Sequence, residues 1–196
     1  MLTSLILIAL SYCAGSLSSA VVVCRMLGHG DPREGGSGNP GATNVLRQFG
    51  KRPAALTLAG DLLKGLLAVW VGRIMGVGPV ALGAIGLAAF LGHLYPVFFE
   101  FRGGKGVATY IGVLIGYGMA LGAGFGIVWL AMAALFRYSS LAALVAAALS
   151  PLLAIAIGQP APIVAAMVAM VALLAWRHRD NIRSLAAGTE RRIGSR

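Results

Sequence analysis

The chain has 196 residues, 58% of them hydrophobic and 11% charged, with sixteen Lys/Arg against six Asp/Glu and a formal net charge of +10. Soluble domains carry roughly a quarter charged residues, so this composition excludes an ordinary soluble fold. The basic excess does not point to nucleic acid, because the basic residues stand in short stretches between apolar runs, where the positive-inside rule expects them.

The first apolar run covers residues 2–26. No Lys or Arg precedes it, and it is too long for a signal-peptide h-region, so it reads as a retained span. Cys13 and Cys24 both fall in this run. On one helix they are separated by about 16 Å, too far for a disulfide, and they read as small apolar packing residues. No metal-ligand spacing surrounds them, and no metal site is expected.

A polar stretch from Leu27 to Arg52 follows and reads as a loop. Its centre is Gly35-Gly36-Ser37-Gly38-Asn39-Pro40-Gly41-Ala42-Thr43-Asn44. Glycines let backbone amides converge on an anion, and Ser37, Asn39, Thr43 and Asn44 add short polar arms. Arg47 adds a fork that can hold two phosphate oxygens. Alone, this pattern is also that of any flexible surface loop; it is neither a Rossmann nor a Walker A motif.

The next runs cover residues 53–75 and 79–99. Asp61 and Lys64 lie in the first of them, three residues apart and on one helix face, and read as a structural ion pair. His93 reads as a packed histidine. Then comes Glu100-Phe101-Arg102-Gly103-Gly104-Lys105-Gly106. It places one ammonium among glycines at the start of a helix, where free amides and the dipole favour phosphate.

The run over residues 106–136 is too long for one helix across a core of about 30 Å. Its glycine-rich middle, around Gly116-Tyr117-Gly118, predicts a break into two short spans. Runs over 139–157 and 160–176 follow, then the polar cluster His178-Arg179-Asp180-Asn181. His178 is a candidate base or phosphate donor.

Charge sets the topology. Seven spans with the N-terminus outside place Arg25, Arg33, Arg47, Lys51, Arg52, Arg102, Lys105, Arg137 and every basic residue from Arg177 onward on the cytoplasmic side. Only Arg73 is then outside; six spans would move Arg137 and the basic tail out as well. The expectation is an all-α polytopic integral membrane protein of seven transmembrane helices, N-terminus outside and C-terminus cytoplasmic, forming one membrane-embedded domain over residues 1–196. All three polar clusters then share one face.

Together and in this order, the motifs closely resemble the bacterial membrane-integral acyl-phosphate:glycerol-3-phosphate acyltransferase family (PlsY). The matching pieces are the segment from Gly36 to Arg47, then Gly60-Asp61-Leu62-Leu63-Lys64-Gly65, Gly103-Gly104-Lys105-Gly106-Val107-Ala108-Thr109, and His178-Arg179-Asp180-Asn181-Ile182 with Gly188-Thr189-Glu190. Ser184 departs from the pattern, where the family commonly has a basic residue.

The resemblance implies transfer of a fatty acyl group from acyl phosphate to the 1-hydroxyl of glycerol 3-phosphate, giving lysophosphatidic acid and inorganic phosphate as the first acylation of phospholipid synthesis. It implies no metal or other cofactor, no acyl-CoA and no acyl-carrier protein. The expected partners are both substrates, the lipid bilayer and the enzyme that makes the acyl phosphate. The expected place is the bacterial inner membrane, with the site on the cytoplasmic face. Catalytic roles carry over to Ser37, Lys105, His178 and Asn181. Substrate phosphates would be held by Gly36, Ser37, Gly38, Asn39, Thr43, Asn44, Arg47, Gly103, Gly104, Lys105 and Gly106. The general base is left open among His178, the substrate's own phosphate, which is favoured, and a covalent acyl-Ser37 route. The alternative class is a transporter of a phosphorylated or anionic small molecule.

Overall fold

The structure, a computed structural model, describes residues 1–194, and these form helices and connecting loops without a strand. Arg196, counted in the basic tail above, lies outside the described residues. The helices are α1 (Leu2–Gly15), α2 (Ser19–Met26), α3 (Ala42–Phe49), α4 (Lys51–Ile74), α5 (Pro79–Leu94), α6 (Val107–Tyr117), α7 (Met119–Phe136), α8 (Ser139–Ala156), α9 (Ala161–Arg177) and α10 (Arg179–Ala186). In an apolar solvent every backbone polar group must be paired within its own segment, which is why the apolar runs become helices.

By length and composition, α4, α5 with its 3-10 extension, α7 and α8 can each cross a membrane. Two bent pairs, α1–α2 and α9–α10, raise the number to six. Helix α6 is apolar but spans only about 16 Å. The break expected in the long fourth run falls at Gly118, whose extended backbone separates α6 from α7.

Two expectations need correction. The first run is not one helix: it bends by 46° between α1 and α2. The break is stabilised by polar groups that periodicity does not register. Ser16 Oγ donates to the Tyr12 carbonyl at 2.8 Å, and Lys64 Nζ reaches across from α4 to the Leu17 carbonyl at 2.8 Å. Cys13 and Cys24 therefore stand on different helices, and both are free thiols. The segment from Leu27 to Arg52 is likewise more than a loop, since it contains α3 and the first residues of α4.

Contacts fix the relative directions. Residues of α4 and α6 meet in rising order: Gly65 lies against Thr109, Gly112 against Leu62 and Leu66, and Gly116 against Val69. The Arg73 guanidinium then donates to the Gly116 carbonyl at 3.1 Å. The two helices are parallel, and glycines let them approach closely, as small residues do in lipid. Helix α1 runs alongside α5 in the same sense, with Met1 near Gly78 and Gly15 near Ala89. The main core, built around Phe90, Tyr110 and Phe125, lies between α5, α6 and α7.

The Asp61–Lys64 pair forms as read, at 2.9 Å, with His93 Nδ1 at 3.5 Å from the same carboxylate oxygen. All three side chains are buried. Removing one partner from such a pair costs about 3–5 kcal/mol, because the other charge is left unpaired.

Candidate active site

One end of the bundle holds a cavity of about 300 Å³. It gathers three stretches far apart in the chain: Ser37, Asn39, Thr43, Asn44 and Arg47 from the first; Lys105 and Gly106 from the second; His178 and Asn181 from the third. Gly36, Gly38, Gly103 and Gly104 do not line it. They shape the turns behind its wall.

The first wall is a folded turn closed by α3. Asn44 lies in the first turn of α3 and is 2% exposed. Its Oδ1 accepts the Ser37 N–H at 3.0 Å, while its Nδ2 donates to the carbonyls of Pro32 and Gly35. Asn44 was expected to offer its arm to an anion; instead both ends of its amide are spent inside the turn. Gln48, one turn further along α3, makes the same two carbonyl contacts at 3.1 Å and carried no sequence signal of its own. Gly36 is left-handed, with φ 61°, and a Cβ there would collide with the Asn44 side chain. The turn therefore presents Ser37, Asn39 and Thr43 outward. Arg47, on α3, lines the cavity and has no carboxylate partner among the described residues.

The second wall is the Gly103-Gly104-Lys105-Gly106 turn ahead of α6. Gly106 is the residue before that helix, with φ 88°, and a Cβ would enter the Phe90 ring. Arg177 clamps the turn from α9: its guanidinium donates to the carbonyls of Gly103 at 2.8 Å and Gly104 at 3.2 Å while lying over the Tyr95 ring. Lys105 is thereby placed at the start of α6, beside free helix amides. Burial lowers its pKa below that of an ordinary lysine, with Glu190 and Asp180 pulling in the opposite sense. The ammonium donates to Asn181 Oδ1.

The third wall is the 59° turn between α9 and α10. His178 sits at this turn, 4% exposed, with Nδ1 2.8 Å from the Leu174 carbonyl. A carbonyl can only accept, so Nδ1 carries the proton and Nε2 is the ring's acceptor. Desolvation lowers the His178 pKa to about 4, opposed by that hydrogen bond, so the ring is neutral at physiological pH. Glu190 completes the wall. Its Oε1 accepts from Asn181 Nδ2 at 2.8 Å and from Ser140 Oγ on α8. The sequence offered Glu190 as part of a motif but gave it no role, because nothing in the spacing of a polar tail reveals a fold back onto α8.

The lining also includes apolar side chains, Leu58, Val107, Ile111 and Trp129 among them, together with Asp61, His93, Ser139 and Arg191. The cavity thus brings cations and hydrocarbon-compatible side chains together. Among the described residues no group of three or more His, Cys, Asp or Glu could hold a metal ion.

A family model described as glycerol-3-phosphate acyltransferase matches residues 5–188. The chain belongs to this family. Relatives named glycerol-3-phosphate acyltransferase include that of Halorhodospira halophila, 53% identical over 97% of this chain and 96% of the relative. That of Methylococcus capsulatus is 52% identical over 97% of this chain and 96% of its own length. Two crystal structures of PlsY (YgiH), an integral membrane glycerol 3-phosphate acyltransferase, share the fold with TM-scores of 0.93 and 0.92 at 38% and 37% identity. Each match covers 98% of this chain and 96% of the solved one. One is a glycerol 3-phosphate form and the other a lysophosphatidic acid form. Family membership makes this chain an integral membrane acyltransferase and removes the transporter alternative. It also agrees with a cavity lined by both cations and apolar side chains.

Proposed function

We propose that the protein acylates the 1-hydroxyl of glycerol 3-phosphate from acyl phosphate, at the cytoplasmic face of a bacterial inner membrane. The observation that carries this reading is the joint placement of Arg47 and Lys105 beside an apolar wall in one cavity. Two phosphorylated substrates need two positive centres, and the acyl chain needs a hydrocarbon surface.

Acyl phosphate is an activated mixed anhydride, so no covalent enzyme nucleophile is required. The substrate hydroxyl oxygen bonds to the acyl carbon, the bond from that carbon to the phosphate oxygen breaks, and inorganic phosphate leaves with the electron pair. Arg47, Ser37, Asn39 and Thr43 hold one phosphate; Lys105, placed by Asn181, binds the other and also neutralises charge on it as it develops. Binding both substrates at fixed positions supplies much of the rate. His178 Nε2 accepts the hydroxyl's hydrogen bond and orients it. With a pKa of about 4 the ring is a weak proton acceptor. A phosphomonoester has its second pKa at about 6, so the glycerol 3-phosphate dianion takes the proton.

The seven-crossing topology belongs to the same proposal. Parallel α1 and α5, and parallel α4 and α6, support alternating crossings with α6 as a short one that meets α7 at Gly118, and the bias of basic residues supports an outside N-terminus. Arg73 then lies on the outer side. The lipid bilayer and the enzyme that supplies acyl phosphate are the expected partners.

The donor is tested by offering acyl phosphate, acyl-CoA and acyl-carrier protein separately to the purified protein with glycerol 3-phosphate. Lysophosphatidic acid should form with acyl phosphate alone; equal product from acyl-CoA would contradict the reading.

A further inference from the structure

The chemistry above makes no use of the buried charges beneath the cavity. Asp61 and His93 both line it, and with Lys64 they are 2%, 7% and 9% exposed. They form a connected line. Lys64 holds the Leu17 carbonyl at the break between α1 and α2, and its ammonium pairs with Asp61. Asp61 faces His93 Nδ1, and His93 Nε2 lies where a Cβ of Gly104 would be.

The line ends on the turn that carries Lys105. The Gly104 N–H donates to the His93 carbonyl at 3.2 Å. A Cβ on Gly103 would enter the carbonyls of His93 and Leu94, so the turn lies flat against the end of α5. Arg177 grips the same turn through its two glycine carbonyls. Without the imidazole, Arg177 and the His93 backbone carbonyl still hold the turn, but the space left by the ring gives it room to move towards Asp61.

We propose that His93, oriented by Asp61, is a positioning residue that fixes the Gly103-Gly104-Lys105 turn and so sets where Lys105 meets its phosphate. Lys64 holds the break between α1 and α2, but helix packing alone gives no reason for His93 to face the pair, since well-packed hydrophobic residues replace buried polar clusters at little or no loss of stability. A charged cluster within a span is expensive and points to function. The inference rests on the reading of Lys105 as a phosphate ligand.

The test uses full-length protein purified in detergent, with KM for each substrate and kcat measured separately. His93→Leu should raise KM for one phosphorylated substrate by about tenfold or more while kcat falls by less than about threefold. The substrate affected is the one whose phosphate Lys105 holds. His93→Gln, long enough to reach Gly104, should recover most of that KM; His93→Asn, which is too short, should not. Unchanged KM values in His93→Leu, equal values in the Gln and Asn variants, or loss of folded protein in all three would overturn the proposal. Lys105→Ala is the control: if it leaves both KM and kcat intact, the phosphate reading fails, whereas a defect there with normal His93 variants overturns only the positioning role.

Discussion

The Lys105 ammonium donates to the side-chain oxygen of Asn181, although 76 positions separate the two in sequence. Lys105 stands at the start of α6 and Asn181 on α10, so the contact closes the cavity between the second and third walls. Asn181 in turn donates to Glu190, which binds Ser140. A single cation is thus aimed by a chain of neutral and acidic groups.

Lys105→Ala should lower kcat/KM by about 10²–10³-fold, the scale of removing one group that stabilises developing negative charge. Lys105→Arg should fail to restore it. A guanidinium is planar and larger than an ammonium, and the site is built around a compact charge beside Gly104 and Gly106. Steady-state kinetics of both variants check this.

Glu190→Ala should cost more than its distance from the reacting atoms suggests. It strands the Asn181 amide and the Ser140 hydroxyl, each a lost hydrogen bond of about 1 kcal/mol or more. Glu190→Gln retains an acceptor oxygen and should keep the larger part of both activity and melting temperature. Thermal unfolding and activity measured side by side separate the two variants.

The pH profile carries the state of His178. Its folded pKa of about 4 lies below the ordinary value of 6.5. Between those values the unfolded chain binds the proton and the folded chain does not. Its contribution to stability is therefore complete above about 6.5 and is lost as pH falls towards about 4. No His178 step should appear in kcat/KM near pH 6.5, and His178→Asn should flatten the acid loss of stability. On the alkaline side, activity should decline below the ordinary lysine value of 10.5, because burial lowers the Lys105 pKa.

Much of the fold was legible because lipid leaves the chain few choices. Apolar run length gave the helices, and the Gly116–Gly118 cluster marked the break before α7. The bend at Ser16–Ser18 was not legible, since Lys64, which holds the Leu17 carbonyl there, is distant in sequence. The site residues were recognisable as glycine and cation clusters, and the fold brings nine of them to one cavity. Their division of labour was not. Asn44 looks like a donor in sequence, and only the folded turn occupies both ends of its amide. Arg177 read as part of a basic tail, yet it clamps the Lys105 turn through backbone carbonyls, which leave no mark in a sequence.

Reporter fusions check the proposed topology at its weakest helix. A fusion after Tyr117, at the end of α6, should report the outside, and one after Arg137, beyond α7, the cytoplasm. A cytoplasmic signal after Tyr117 would make α6 re-entrant and remove the seventh crossing.

The most direct measurement of the central claim is phosphate release by the purified protein in detergent. With acyl phosphate present, release should depend on added glycerol 3-phosphate, match lysophosphatidic acid mole for mole, and be lost in Lys105→Ala. Release that proceeds equally without glycerol 3-phosphate, or no release under any condition, would contradict the account.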